Sequence, residues 1–139
     1  MPFAPFRSTR RATPRVALAV GLLCLAGCGQ TPAPTAADES EARKTLDQAL
    51  AAWQQGQTIE ALKQASPSIV VSDPNWQQGD ALTKYEVVGA GKPSGAEREF
   101  TVRLWLAPPK ANPKAKEKKT EVAYKVGTDP ILTVFRALF

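Results

Sequence analysis

Few side chains in this 139-residue chain can do chemistry of their own. There is no histidine, which removes Ser–His and Cys–His nucleophile pairs and nearly all zinc, copper and haem sites. The candidate acid–base groups are Asp73, Asp80, Glu86, Glu97, Glu99, Glu121 and Asp129. Two carboxylates held at a fixed separation could hydrolyse a glycoside, but nothing in their spacing sets that separation. Asp73 and Asp129 each precede a proline and Asp80 follows Gly79, positions where Asp serves a turn. No catalytic residue, metal ligand or cofactor site is assigned.

Three tryptophans offer aromatic surface for a ligand pocket. Trp53 falls on an apolar helical stripe and belongs to a core. Trp105 falls on the strand face opposite Phe100, Val102, Leu104 and Leu106, and Trp76 lies near a turn. Trp76 and Trp105 are therefore the candidate ligand or partner surface. The segment Lys110–Lys119 (KANPKAKEKK) sets five lysines against Glu117. It reads as a solvated hairpin tip with the means to touch anionic headgroups, phosphorylated sugars or a partner protein. With no aromatic interleaved, it offers no stacking platform for single-stranded nucleic acid. Gly89-Ala90-Gly91-Lys92-Pro93 lacks the spacing and following helix of a phosphate loop.

The two cysteines, Cys24 and Cys28, belong to the start of the chain. Arg7, Arg10, Arg11 and Arg15 stand there without an acid, followed by the apolar run Val16–Gly27 (VALAVGLLCLAG). A basic head, an apolar middle and a small-residue end are the parts of a secretory signal, and the run is shorter than the ~20 residues a spanning helix needs. Arg10-Arg11 is followed by Ala12-Thr13-Pro14, which does not resemble a twin-arginine signal. Leu25-Ala26-Gly27-Cys28 resembles the lipobox of bacterial lipoprotein signal peptides. The resemblance implies a diacylglyceryl group on the Cys28 sulfur, cleavage between Gly27 and Cys28, and acylation of the new amino terminus. The competing reading is an ordinary secretory signal that ends in cysteine. Each buried acyl methylene is worth ~0.8 kcal/mol and two or more chains hold firmly, so lipid at Cys28 implies a lasting membrane partner. Gly29, where Asp would favour inner-membrane retention, points to the outer membrane facing the periplasm.

Removing residues 1–27 changes the composition. The whole chain carries 18 Lys and Arg against 13 Asp and Glu, a net of +5. Four of the basic residues and none of the acidic ones precede Cys28, so the mature chain is near +1. Global charge therefore gives no argument for nucleic acid. With Cys24 removed and Cys28 lipidated, the folded part has no free thiol and no disulfide.

The elements that would position these groups follow from periodicity. Residues 28–38 form the lipidated cysteine and an extended tether (QTPAPTAA), leaving one domain over 39–139. Asp38–Gln55 reads as the main helix, with Ala42, Leu46, Ala49, Leu50 and Trp53 on one stripe. Asp38 or Ser40 caps it, Glu41 suggests a capping box, and Gly56 ends it. Thr58–Ala65 reads as a shorter helix with Ile59 and Leu62 inward. Ile69–Val71 is a short strand and Asp73-Pro74-Asn75 a turn. Leu82–Val88 reads as a strand with Tyr85 and Val87 on opposite faces, and Gly89–Gly95 as a hairpin loop. Phe100–Leu106 alternates most clearly. Pro108–Lys119 is a second loop, Val122–Val126 alternates again, and Ile131–Phe135 resumes as strand after Pro130, which demands an edge, bulge or break.

This order predicts an α+β fold: a helix and a short second helix packed on a curled antiparallel sheet of about four strands. The arrangement resembles the cystatin-like and nuclear-transport-factor-like group, in which a curled sheet wraps a helix. Trp76, Gly79, Leu82 and Tyr85, followed by Tyr124–Pro130 (YKVGTDP) and Val134-Phe135-Arg136, are similar to small envelope lipoproteins of unassigned function. The expectation is a lipid-anchored, non-catalytic domain that binds an envelope protein or polymer and no nucleic acid. The alternative is a small ligand-binding or enzymatic domain using a cone-shaped pocket.

Overall fold

The computed structural model describes Gly29 and residues 32–138. The expectations resting on Gly27, Cys28 and the apolar run lie outside the described residues.

The first helix, α1 (Glu39–Gln54), begins where Asp38 can satisfy its free amides: the Asp38 carboxylate accepts from the N–H groups of Ser40 and Glu41 at 2.9 and 3.1 Å. It ends at Gly56, whose left-handed φ of 79° suits glycine, with its N–H donating to the Trp53 carbonyl. The short helix α2 (Ile59–Gln64) is capped by the Thr58 hydroxyl, which accepts from the Ala61 N–H at 3.1 Å. Leu62 is buried and Ile59 half-buried.

Strand β1 (Ile69–Ser72) leads to Asp73-Pro74-Asn75, which is the start of a single helical turn, α3 (Pro74–Gln77), and not a plain turn. Asp73 caps it through the Trp76 N–H at 3.0 Å, and Pro74 occupies the first position, where its missing N–H costs nothing. Strands β2 (Leu82–Ser94), β3 (Glu97–Leu106), β4 (Lys118–Gly127) and β5 (Leu132–Arg136) complete the chain. Pro130 falls in the break between β4 and β5.

The fold class is α+β, but the sheet has five strands and is mixed. Its order is β1-β5-β4-β3-β2, with β1 and β5 parallel and the other pairs antiparallel. The sheet is open, with β1 and β2 at its edges. β1 was not separable from a meander by sequence because its partner lies at the far end of the chain. The expected hairpin loop Gly89–Gly95 is mostly strand: β2 runs through it with a register shift between Val88 and Lys92. The turn is the pair Gly95-Ala96 alone, with Gly95 at φ 62°. Tyr85 and Val87 both pack on the core, correcting their assignment to opposite faces, since residues two apart on a strand share a face. The second loop stops at Glu117, because Lys118 and Lys119 pair with Leu106 and Trp105 as the start of β4.

One face of the sheet receives α1. Leu46, Leu50 and Trp53 meet Phe100, Val102, Leu104, Tyr124, Val126 and Val134, all at most 3% exposed. Full burial of a Leu or Phe is worth ~1.5–3 kcal/mol, so this layer holds the fold without a disulfide. The chain enters it at a fixed place. The Ala37 N–H donates to the Ala96 carbonyl at 3.0 Å, and Arg98 Nε donates to the Ala37 carbonyl at 2.9 Å. Glu39 accepts from the Gly91 N–H at 3.2 Å and lies 3.6 Å from Arg98 Nη1. The lead-in to α1 is thereby clamped to the β2–β3 turn.

Candidate functional site

The face of the sheet away from α1 carries the side chains that alternate with the core residues. Register sets them in cross-strand rows. Lys84, Trp105 and Lys119 form one row, and Glu86, Arg103 and Glu121 the next. Trp105 is half-buried, with the ammonium of Lys84 4.8 Å and that of Lys119 5.1 Å from its ring centroid. Each such cation–π contact contributes ~0.5–1 kcal/mol at an exposed position. Arg103 lies between two acids: Nε is 3.1 Å from Glu121 and Nη1 is 3.6 Å from Glu86. The structure thus puts Trp105 on the accessible face, as its alternation with Leu104 and Leu106 implies. The two lysines around it were missed in the sequence, because the only signal is the strand register.

Trp76 occupies a different environment. It is 7% exposed and stacks on Trp53, centroids 5.1 Å apart and rings within 4° of parallel. Both indole N–H groups are used inside the domain: Trp53 donates to the Asp80 carbonyl at 2.8 Å and Trp76 to the Gln57 carbonyl at 3.0 Å. The pair forms the apolar side of a groove of about 580 Å³ that Gln57, Thr58, Gln77 and Asp80 also line. Trp76 and Trp105 therefore do not share one surface.

The carboxylates are dispersed. Asp73 is fully buried. One oxygen caps α3 and the other accepts from the Tyr124 hydroxyl at 2.5 Å, with Arg136 Nη1 at 3.6 Å. Arg136 also donates to Asn75, whose amide donates to Asp80 at 2.8 Å. Burial, reinforced by the charge and hydrogen bond of Asp73, holds the Tyr124 hydroxyl far above the usual tyrosine range. This buried chain of polar groups ties β4, β5 and α3 together. Glu86 and Glu121 are engaged by Arg103, and Asp129 is exposed. Glu99 and Glu121 line one shallow surface depression, and the Glu121 side chain is 56% exposed.

Among the described residues no group of acids could hold a metal ion, and no helix is long and apolar enough to cross a membrane. The lysine-rich loop is exposed over Lys110, Lys114 and Lys116, and Glu117 accepts from the Thr83 hydroxyl. It opens at the same end of β3 as Trp105. The site with the best-defined geometry is therefore a surface, the Lys84–Trp105–Lys119 row beside this loop. The chain matches no protein-family model, no curated protein and no solved structure.

Proposed function

We propose that this chain is a bacterial envelope lipoprotein, cleaved between Gly27 and Cys28 and held on a membrane by lipid at Cys28, whose domain binds another envelope component without catalysing a reaction. The anchor rests on Leu25-Ala26-Gly27-Cys28 behind an apolar run and four arginines. The absence of Asp at position 29 favours the outer membrane, facing the periplasm. A helix laid on a sheet of which β2–β5 form an antiparallel meander accords with a cystatin-like fold.

The single observation that carries the binding role is Trp105, an aromatic left accessible at the centre of a charged row on the face that none of the described helices covers. Aromatic residues in such surroundings are the usual anchors of interfaces. Chemical crosslinking of intact envelopes, followed by recovery of the full chain, is expected to yield one consistent partner. Intact mass is expected to show acylated Cys28 as the first residue, and Cys28→Ser to leave the protein unprocessed and unlipidated. Turnover of a substrate by the purified protein, with no partner recovered, would overturn the binding role.

The groove beside Trp76 favours a second reading, a small polar ligand held at the end of α1. Side chains of α1 and the sheet fill the space between them, which weighs against a cone-shaped interior pocket and leaves the groove as the place for such a ligand.

A further inference from the structure

The arginines and lysines of the domain are used differently. Arg43, Arg98, Arg103 and Arg136 each have a carboxylate within 4.0 Å, and among the described residues no lysine does. Six lysines gather at one end of the sheet: Lys84 and Lys119 against Trp105, and Lys110, Lys114, Lys116 and Lys118 in or beside the loop. The one acid among them is Glu117, engaged by Thr83. Six lysines against Glu117 leave this end strongly positive around an aromatic side chain, whereas the chain from Cys28 onward sums to only +1 and its remainder is therefore net acidic.

We propose that the Lys84–Trp105–Lys119 row is the docking surface for an acidic segment of a protein partner. Carboxylates of that segment pair with the two lysines, an apolar side chain covers the Trp105 ring, and the loop lysines steer the approach. The inference rests on the binding role proposed above and specifies its surface and its partner. A protein is favoured over a membrane or a uniformly anionic polymer by the neighbouring row. Glu86 and Glu121 flank a single arginine there, so a continuous sheet of phosphates laid on this face meets two carboxylates directly beyond the lysines. A protein segment can present acids to one row and basic or neutral groups to the next. Exposed lysine pairs are individually weak, so burying Trp105 supplies most of the affinity and the lysines supply choice of partner.

A carbodiimide tests this directly, because it joins a lysine amine to a carboxylate only where the two are in contact. The full chain would be treated in intact envelopes and the linked peptides mapped by mass spectrometry. The expected links run from Lys84 or Lys119 to Asp or Glu of one other protein. Their yield is expected to fall about five- to tenfold in Trp105→Ala, as for loss of an interface anchor. The linked protein, recovered through any lysine, is expected to fall similarly in the double variant Lys84→Glu, Lys119→Glu. Lys44→Glu with Lys63→Glu, on α1 and α2, is expected to leave the yield unchanged, and circular dichroism to show all variants folded. Links from other lysines alone would overturn this inference and leave the binding role standing. A glycan or lipid adduct at Lys84 or Lys119 would also overturn it, as would a yield indifferent to Trp105 and both lysines. Failure to link or recover any partner would overturn both.

Discussion

Asp73 occupies a position where an unpaired carboxylate would cost several kcal/mol, and it is tolerated because each oxygen is engaged. Replacing Tyr124 by Phe removes one of its hydrogen-bond donors and leaves that oxygen facing Arg136 alone. The expected loss of stability is ~1–3 kcal/mol, measured by urea unfolding near neutral pH. The same pair sets an alkaline limit. An unfolded chain releases the Tyr124 proton near the ordinary value of 10.0, whereas the native hydroxyl keeps it. Its contribution is therefore fully present below about pH 10 and is lost above it, at up to ~1.4 kcal/mol per pH unit. Tyr85, raised chiefly by burial and then by Asp47, pulls weakly in the same direction. Unfolding curves from about pH 8 to 11 should show this slope in the native sequence and most of it gone in Tyr124→Phe. An unchanged slope would remove Tyr124 as its source. Little of this was legible in the sequence. Asp73 before a proline announces a local cap, and it is one, but Tyr124 stands 51 positions away and Arg136 further still. Nothing local announces a partner that only the sheet order brings near.

Elements with strong local periodicity were readable, and those defined by distant pairing were not. α1 declares itself through its stripe, its Asp38 cap and Gly56, and β3 through strict alternation. β2 conceals its length, because Gly89, Gly91 and Pro93 look like loop residues yet lie in a strand that bulges between Val88 and Lys92. Gly91 shows why glycine is needed there. A Cβ at that position would meet the Phe100 ring at 2.6 Å and the Arg98 side chain at 2.8 Å, and the Gly91 carbonyl also accepts from Arg98 at 3.1 Å. Phe100 is 1% exposed and has nowhere to go. Gly91→Ala is therefore expected to cost ~1–3 kcal/mol, in the range of an overpacked core, read as a lower thermal midpoint. Gly89→Ala is strained by the φ of 71° at Gly89 but meets no atom within 4 Å, so it is expected to cost about 1 kcal/mol. Equal losses would show that close packing is not what holds Gly91. The parallel pairing of β1 with β5 is the remaining surprise. Four residues, Ile69–Ser72, carry no signal of which strand they will join or in which direction.

For the molecule as a whole, the clamp at Ala37 matters because it fixes where a tether must leave the domain. Ala37 is held to Ala96 and Arg98 at the β2–β3 turn. From that turn, β3 runs ten residues to Leu106, a rise of ~33 Å, and the lysine-rich loop and Trp105 lie at its far end. The nine residues Gly29–Ala37 reach at most ~30 Å when extended. Under the anchor proposed at Cys28, a membrane is therefore expected nearer, along the chain, to the Gly95-Ala96 turn than to the loop. This carries a prediction separate from the identity of any partner. A fluorophore on Ala96→Cys, in protein bound to vesicles containing brominated lipid, is expected to be quenched more than one on Ala111→Cys. Adding Cys28→Ser should abolish the difference along with membrane binding. Equal quenching at both positions would mean that the domain lies along the bilayer, leaving Trp105 no consistent outward aspect. Stronger quenching at position 111 would mean that the lysines face the lipid, and the acidic-protein reading of the Trp105 row would fall with the orientation that supports it.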